Sequence, residues 1–429
     1  MNDNRTMSAR EAAAALAVSP ATLYAYVSRG LIRSEEVPGN SRERRYSRED
    51  VQRLLDRKAQ RRDPAHATRE TLHWGAPLLD SALTLIADGR LYYRGQDASA
   101  LARACTLEQV AALLWTGSPA AAHELFAGNA GILPALFASG EASYASPITA
   151  MQLALALAAE RDLAAFDLAP RNVAQTGARI LRLLVSIVAH AGQKTSDHPV
   201  HPVHPVKEDQ VASEPRIHGT LATTLAQAWH VSGYQGMRLL DAAMILCADH
   251  ELNASSFAAR VIASAGANPY GVVGGGMAAL QGVRHGGHTR RVSAFLREIE
   301  GAGQTEPILR ERLQRGDDLP GFGHPLYPQG DPRATLLLEL LSEYAADPAA
   351  LAFAAQVCGV VRQATGKHPT IDFALVIFER ALRLPPDSAL VLFTLGRAVG
   401  WIAHAIEQYA TGELIRPRAR YTGVLPLAP

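Results

Sequence analysis

The chain has 429 residues, 48% hydrophobic and 19% charged, with a formal net charge of +1. That composition excludes a disordered chain, and the length exceeds what one hydrophobic core usually organises, so two or three globular domains are expected. No uninterrupted apolar run reaches membrane-spanning length, Asp3, Arg5, Arg10 and Glu11 stand where a secretory signal would be apolar, and Cys105, Cys247 and Cys358 form no CxxC pair; the expectation is a soluble, cytoplasmic protein with no membrane segment, disulfide framework or zinc finger.

Charge is uneven along the chain. Thirteen basic residues face eight acidic ones up to Arg62, a net of +5, which leaves −4 for the remainder. In this basic head, AREAAAALAVSPATLYAYVSRGLI predicts two short helices joined by a tight turn: Ala12 to Leu16 is Ala-rich, Ser19 is an N-cap followed by Pro20 at the first helical position, and Gly30 ends the second helix. VPGNSRERRYSREDVQRLL predicts a short hairpin or wing with Arg44 and Arg45 flanking its second strand, and Ser47 with Asp50 predicts a capping box opening a third helix. Over residues 1–62 this arrangement resembles the winged helix-turn-helix module of the mercury-resistance-regulator and excisionase families. The resemblance implies DNA as a partner, with Thr22, Tyr24 and Arg29 near the major groove and Arg44 and Arg45 on phosphates. The competing reading is a docking module that kept the fold without DNA affinity.

Residues 62–70, RRDPAHATR, read as a linker. Beyond it, Ala/Leu-rich segments at helical spacing dominate: 98–115, 150–159, 178–191, 219–230, 237–248, 253–265, 291–300, 335–345, 349–364, 373–383 and 387–411. The fold class is therefore mainly α. One β feature is expected in LTLIADGRLYYRGQD, where Asp88-Gly89 can turn a hairpin. Three H-P-V triplets, with His198, His201 and His204 three residues apart, favour a solvated polyproline II loop inserted over 195–215 rather than a metal site.

Several polar groups in the body stand out. His250 closes an apolar helix and is followed by a helix start at Asn253; His285 precedes a Gly-Gly pair that would admit a close ligand. His324 sits in DLPGFGHPLYPQGDPR, among glycines and prolines that place it on a loop, with Arg333 nine residues on. Asp372 begins an apolar helix after a Pro-containing turn, where burial raises a carboxyl's proton affinity and the helix N-terminus opposes that. Arg397 lies among apolar residues on a helix, and Arg416 and Arg418 follow in LIRPRARYTG. Singly, each has an ordinary explanation: a turn histidine, an N-cap, a snorkelling arginine. Together they suit a reaction that binds a dicarboxylate and moves protons at carbon.

The body resembles the citrate synthase family from about residue 70 to 425, with its motifs in order. DGRLYYRGQ is similar to D-G-x-L-x-Y-R-G, HELNAS to H-E-x-N-x-S, RHGGH to L-H-G-G-A-N, GFGHPLY and DPR to G-Y-G-H and D-P-R, TIDF to N-V-D-F, and GRAVGWIAHAIEQ with IRPR to the Arg-bearing closing helix and R-P segment. The resemblance implies a large helical domain (63–288 and 379–429) and a small one (289–378) that closes on substrate. It implies Asp372, His285 and His324 as catalytic residues. His250, Arg333, Arg397 and Arg416 would bind oxaloacetate, Arg416 across a homodimer interface. Leu319, Pro320, Gly321, Phe322 and Gly323 would bind coenzyme A. It implies no cofactor, acetyl-CoA being a substrate, and no metal. Three departures bear on substrate identity: His288-Thr289 replaces Ala-Asn, Arg284 precedes His285, and Thr370 replaces Asn.

Three functions are thus on the table. The leading one condenses acetyl-CoA with oxaloacetate to citrate. The second, 2-methylcitrate synthesis or a related acyl-CoA/2-oxo acid condensation, differs by a pocket of one methylene. The third is a DNA-binding regulator whose synthase-like body senses a metabolite.

Overall fold

The structure is a computed structural model and describes residues 6–55 (without 30, 38, 39, 49, 52 and 53), 79–127, 146–194 and 219–424 (without 304, 345 and 420). The Gly30 helix stop, the linker at 62–70 with the 62/63 boundary, and the 195–215 insertion with His198, His201 and His204 lie outside the described residues. The chain divides into two compact units, Met1–Asp80 and Ser81–Pro429.

In the first unit, strand β1 (Thr6–Ser8) leads into helices α1 (Ala9–Leu16) and α2 (Pro20–Ser28), followed by strands β2 (Ser34–Val37) and β3 (Asn40–Ser47). The sheet order is β1-β3-β2, all antiparallel, with Glu35 opposite Arg45 and Glu36 opposite Arg44. The expected helix pair and wing are present; β1 and the Ser8–Glu11 capping box that starts α1 were not anticipated. Ser19 caps α2 by accepting the Thr22 amide. The box at Ser47 is only half formed, because the Asp50 amide reaches Ser47 Oγ while the Asp50 carboxylate goes to Arg33 at 2.8 Å. Leu16, Leu23, Ile32, Tyr46 and Val51 form the core of this unit.

The second unit opens with the predicted hairpin, β4 (Thr84–Ala87) and β5 (Arg90–Tyr93), extended by β6 (Gln96–Asp97). The rest is helical: α3 (Ala98–Ala104), α4 (Leu107–Thr116), α5 (Ala122–Leu125), α6 (Pro147–Ala159), α7 (Pro170–Lys194), α8 (Leu221–Ala228), α9 (Gly233–Leu246), α10 (Ala254–Ser264), α11 (Pro269–Leu280), α12 (His288–Ala302), α13 (Thr305–Arg315), α14 (Pro332–Glu343), α15 (Pro348–Thr365), α16 (Ile371–Ala381) and α17 (Ser388–Thr411).

The mainly α class expected from the sequence is what the protein has, with differences in detail. The single helix expected at 98–115 is two, because Thr106 makes a reciprocal cap with Gln109 and restarts the chain as α4. Helix α11 was missed because its sequence, PYGVVGGGMAAL, is rich in glycine, which disfavours helices in isolation. Its buried face of Tyr270, Val272, Val273, Met277 and Leu280 outweighs that propensity. The polar α13 was missed for lack of an apolar stripe.

Helix α17 is the centre of the unit. It packs against α4, α7, α9, α10, α11 and α16, and its residues from Ser388 to Ile406 are all buried. By length and apolar composition it would pass for a membrane span, yet its apolar surface is spent inside the protein's own core. A Cβ at Gly396 or Gly400 would stand 2.2–2.3 Å from the carbonyl oxygens of Met244 and Ala248. Those glycines let the end of α9 lie directly on α17, and this contact brings Arg397 beside the loop that carries His250.

Candidate active site

Three loops and two helix starts converge on one buried cluster. The first loop, 247–253, follows α9 and holds His250. It is anchored by Asp249, which accepts the Thr84 hydroxyl at 2.6 Å and faces the His404 ring at 3.2 Å, while Tyr93 donates to the Ile245 carbonyl at 2.9 Å. Burial would raise the Asp249 carboxyl, but His404 and then Arg397 and Thr84 hold it below its ordinary value. Asn253 caps α10 through the amides of Ser255 and Ser256.

The second loop, 281–287, carries His285. Its Gly-Gly pair serves the packing of the chain itself. A Cβ on Gly287 would lie 2.3 Å from the Gln281 carbonyl oxygen, so the glycine is required by the chain folding back on the end of α11. His285 Nε2 lies 2.8 Å from Ser255 Oγ, which itself reaches Asn253 Oδ1 at 2.8 Å. The His285 and Phe393 rings meet edge to face.

The third loop, 316–331, holds His324 and Tyr327. The rings of His250, His324 and Tyr327 are mutual neighbours, with centroids 5.0–5.6 Å apart, and His250 Nε2 is 3.0 Å from the Tyr327 hydroxyl. His324 Nδ1 accepts the Leu326 amide at 3.2 Å, so the proton of its neutral ring is on Nε2. Arg333, at the start of α14, is clamped by Asp331 through Nε at 2.9 Å and Nη2 at 2.8 Å, and both side chains are buried. The second Asp331 oxygen also accepts the Ile371 amide at 3.0 Å, tying this pair to the first turn of α16. Arg397 does not snorkel. It is fully buried, donates from Nε to the Cys247 carbonyl at 2.8 Å, and leaves Nη1 buried with no hydrogen-bond partner among the described residues.

Asp372 stands in the first turn of α16. Its Oδ2 faces Thr370 Oγ1 at 3.5 Å, and its Oδ1 is buried without a partner among the described residues. Burial raises its proton affinity, with His288 and Arg333 opposing. Burial has the opposite effect on the histidines. It pushes His285 down to about 3, aided by Arg397, and His324 down to about 4, aided by Arg333, and it holds His250 well below its ordinary value. All three imidazoles are neutral at neutral pH. Although burial works against it, the Asp331 carboxylate keeps Arg333 firmly protonated.

Of the residues singled out in the sequence, His250, His285, His324, Arg333, Asp372 and Arg397 are buried or half-buried parts of this neighbourhood. Leu319 to Phe322 form the buried wall beside it, with Phe322 on the Phe373 ring. Arg416 is exposed on the segment after α17 and has no hydrogen bond or ion pair among the described residues. In the head, Tyr24, Arg29, Arg44 and Arg45 are exposed, whereas Thr22 is half-buried and committed to the Ser19 cap. Sequence reasoning missed Asp331, Tyr327 and Ser255. The D-P-R and H-P-L-Y contexts held the signal for the first two, but only the fold shows which neighbours they serve.

A desolvated carboxylic acid, neutral imidazoles and two buried guanidiniums, with an orphan acceptor and an orphan donor among them, are the equipment of an enzyme that moves protons while it holds an anion. Residues 72–418 match the family described as citrate synthase, C-terminal domain, and residues 7–62 match the MerR HTH family regulatory protein. The chain belongs to the citrate synthase family. It is 31% identical to the citrate synthase of Haloferax volcanii over 374 residues, 81% of this chain and 94% of that one. It is 27% identical to 2-methylcitrate synthase 2 of Corynebacterium glutamicum, over 78% and 88% of the two chains. With putative citrate synthase 2 of Mycobacterium tuberculosis it shares 35% identity over 195 residues, 44% of this chain and only 52% of that relative's length. The crystal structure of citrate synthase from Thermotoga maritima superposes with a TM-score of 0.67 at 25% identity, covering 82% of this chain and 96% of that one.

Proposed function

We propose that this chain condenses acetyl-CoA with oxaloacetate to give citrate and CoA. The observation that carries the reading is Asp372: a half-buried residue of raised proton affinity whose Oδ1 is buried and has no partner among the described residues, beside neutral histidines. In this mechanism Asp372 takes a proton from the acetyl methyl group while His285 donates a hydrogen bond to the thioester oxygen, giving the enol. Donation from Nδ1 of His285 requires the Ser255 hydroxyl, which here donates to Asn253 Oδ1, to turn its single proton to Nε2 when substrate binds. The enol carbon attacks the 2-oxo carbon of oxaloacetate, whose oxygen His324 polarises from Nε2–H and protonates as the new hydroxyl. Water then cleaves the thioester of citryl-CoA, releasing citrate and CoA.

His250, Arg333 and Arg397 hold the carboxylates, Arg397 through its free Nη1, with Arg416 reaching in from a second copy in a homodimer. Residues 319–323 receive CoA. Closure of the 289–378 segment over the site excludes water from the enol. Acetyl-CoA is a substrate, and the family needs no resident cofactor. A soluble, cytoplasmic setting belongs to the same reading.

The test is thiol release from acetyl-CoA and from propionyl-CoA, each with and without oxaloacetate. Oxaloacetate-dependent release, more efficient with acetyl-CoA, is the expected result. Equal or better efficiency with propionyl-CoA would move the assignment to the 2-methylcitrate reaction, which the Corynebacterium relative supports. No release from either, in a protein that still binds oxaloacetate, sinks the condensation reading.

The head supports a second reading, in which the chain regulates transcription and its body senses the same metabolites. Exposed Tyr24 on α2, Arg29 at the C-cap of α2, and Arg44 and Arg45 on β3 would contact duplex DNA. Three arginines from each of two copies predict a loss of affinity of roughly 10³-fold as salt rises from about 50 to about 200 mM. Gel shifts with the gene's own upstream region check this, and absence of any complex at the lower salt removes the reading.

A further inference from the structure

His288 is the first residue of α12 and stands where the family pattern has alanine. Its Nε2 accepts the Gly321 amide at 3.1 Å, so that nitrogen is unprotonated and the ring's proton sits on Nδ1. Gly321 has φ +86°, and a Cβ there would stand 3.0 Å from Val292 Cγ2 on α12 and 3.1 Å from Phe373 Cβ on α16. The segment is thus wedged between two helices in a backbone conformation suited to glycine.

The same peptide is also held on its other side. The Gly321 carbonyl accepts the Thr370 amide at 2.9 Å, Phe322 pairs with Pro369 as an isolated β-bridge, and the Gly323 amide donates to the His368 carbonyl at 2.9 Å. Residues 321–323 therefore form an added edge along 368–370, the lead-in to Asp372. Among the described hydrogen bonds, the one that His288 accepts from Gly321 is what ties residues 319–323 to α12; the neighbouring Asp318 meets Arg291 only at the exposed rim, at 3.3 Å.

We propose that His288 is a positioning residue that latches the acyl-CoA loop Leu319–Gly323 to α12 and so sets the distance between bound thioester and the base on α16. This rests on the reading that the loop receives acyl-CoA. The latch is a side chain of this sequence, supplied at a position where the family pattern offers only a methyl group.

The experiment compares the wild type, His288→Ala and His288→Gln in the full chain, by hydrogen exchange of the amides of Leu319, Gly321, Phe322 and Gly323 without ligand and by steady-state kinetics. Loss of one hydrogen bond of ordinary net strength predicts about tenfold faster exchange and an acetyl-CoA KM about tenfold higher in the alanine variant. The oxaloacetate KM should stay within about twofold, because the latch acts on one substrate's loop. Glutamine, whose Oε1 can take the place of Nε2 as acceptor, should restore both quantities.

Unchanged exchange in the alanine variant overturns the latch whatever the activity. A parallel rise of both KM values with a falling melting temperature overturns it as well, since that is the signature of general destabilisation. If exchange behaves as expected but the wild type releases no thiol from either acyl-CoA, the condensation reading falls while the latch stands.

Discussion

Replacing Asp372 by asparagine should cut oxaloacetate-dependent CoA release by about 10²- to 10⁴-fold, the range over which a positioned general base contributes. The oxaloacetate KM should be almost unchanged, because the base acts on the other substrate. Fold stability supplies an independent check of sign. The unfolded chain gives up the Asp372 proton near the ordinary value of 3.8, while burial keeps it bound to higher pH in the fold. Ionisation in the native state therefore erodes stability as pH rises through the raised folded value, and asparagine removes that cost. The variant should be at least as stable as the wild type at neutral pH by thermal melting. Residual activity above about one-tenth of wild type, well outside the general-base range, would rule Asp372 out as the base.

The second large effect is on stability. Asp331→Asn leaves the Arg333 guanidinium buried without a counter-charge and weakens the tie from Asp331 Oδ2 to the Ile371 amide. Removing one partner of a buried pair costs about 3–5 kcal/mol, so denaturant midpoints should fall clearly and oxaloacetate binding should be lost. Burial pushes the Asp331 carboxyl up, but Arg333 outweighs it and the net shift is downward. Its contribution is thus complete above the ordinary aspartate value and is lost only as pH falls through the depressed folded one. Between about pH 5 and 8 the deficit of the variant should be constant. A deficit below about 1 kcal/mol, or one that vanishes across that window, would mean that water reaches the pair.

Much of the fold could be read in the chain because its signals are local. The Ser19-Pro20 helix start, the Asp88-Gly89 hairpin, the Asn253 cap and the apolar run of α17 each follow from the conformational preferences of a few adjacent residues. Helix α11 was not legible, because its glycines argue against a helix until Trp401 and the rest of α17 pack on it. The Gly286-Gly287 pair was legible as a special position, but not that a close neighbour of Gly287 is the protein's own Gln281 carbonyl, which comes from the fold.

The candidate site divides along the same line. Residue types and motif order picked out His250, His285, His324, Arg333, Asp372 and Arg397, since acid–base and anion-binding chemistry requires those side chains whatever fold carries them. Their protonation states and partners were not in the sequence. Only the packing of α14, α16 and α17 around three loops removes water from Asp372, empties the histidines of charge, clamps Arg333 on Asp331 and sets His288 on Gly321. The sequence by itself determined which groups are available for the chemistry. Tertiary structure alone decided how strongly each holds its proton and which atoms are left unpartnered, because both depend on desolvation and on charges brought close from distant parts of the chain.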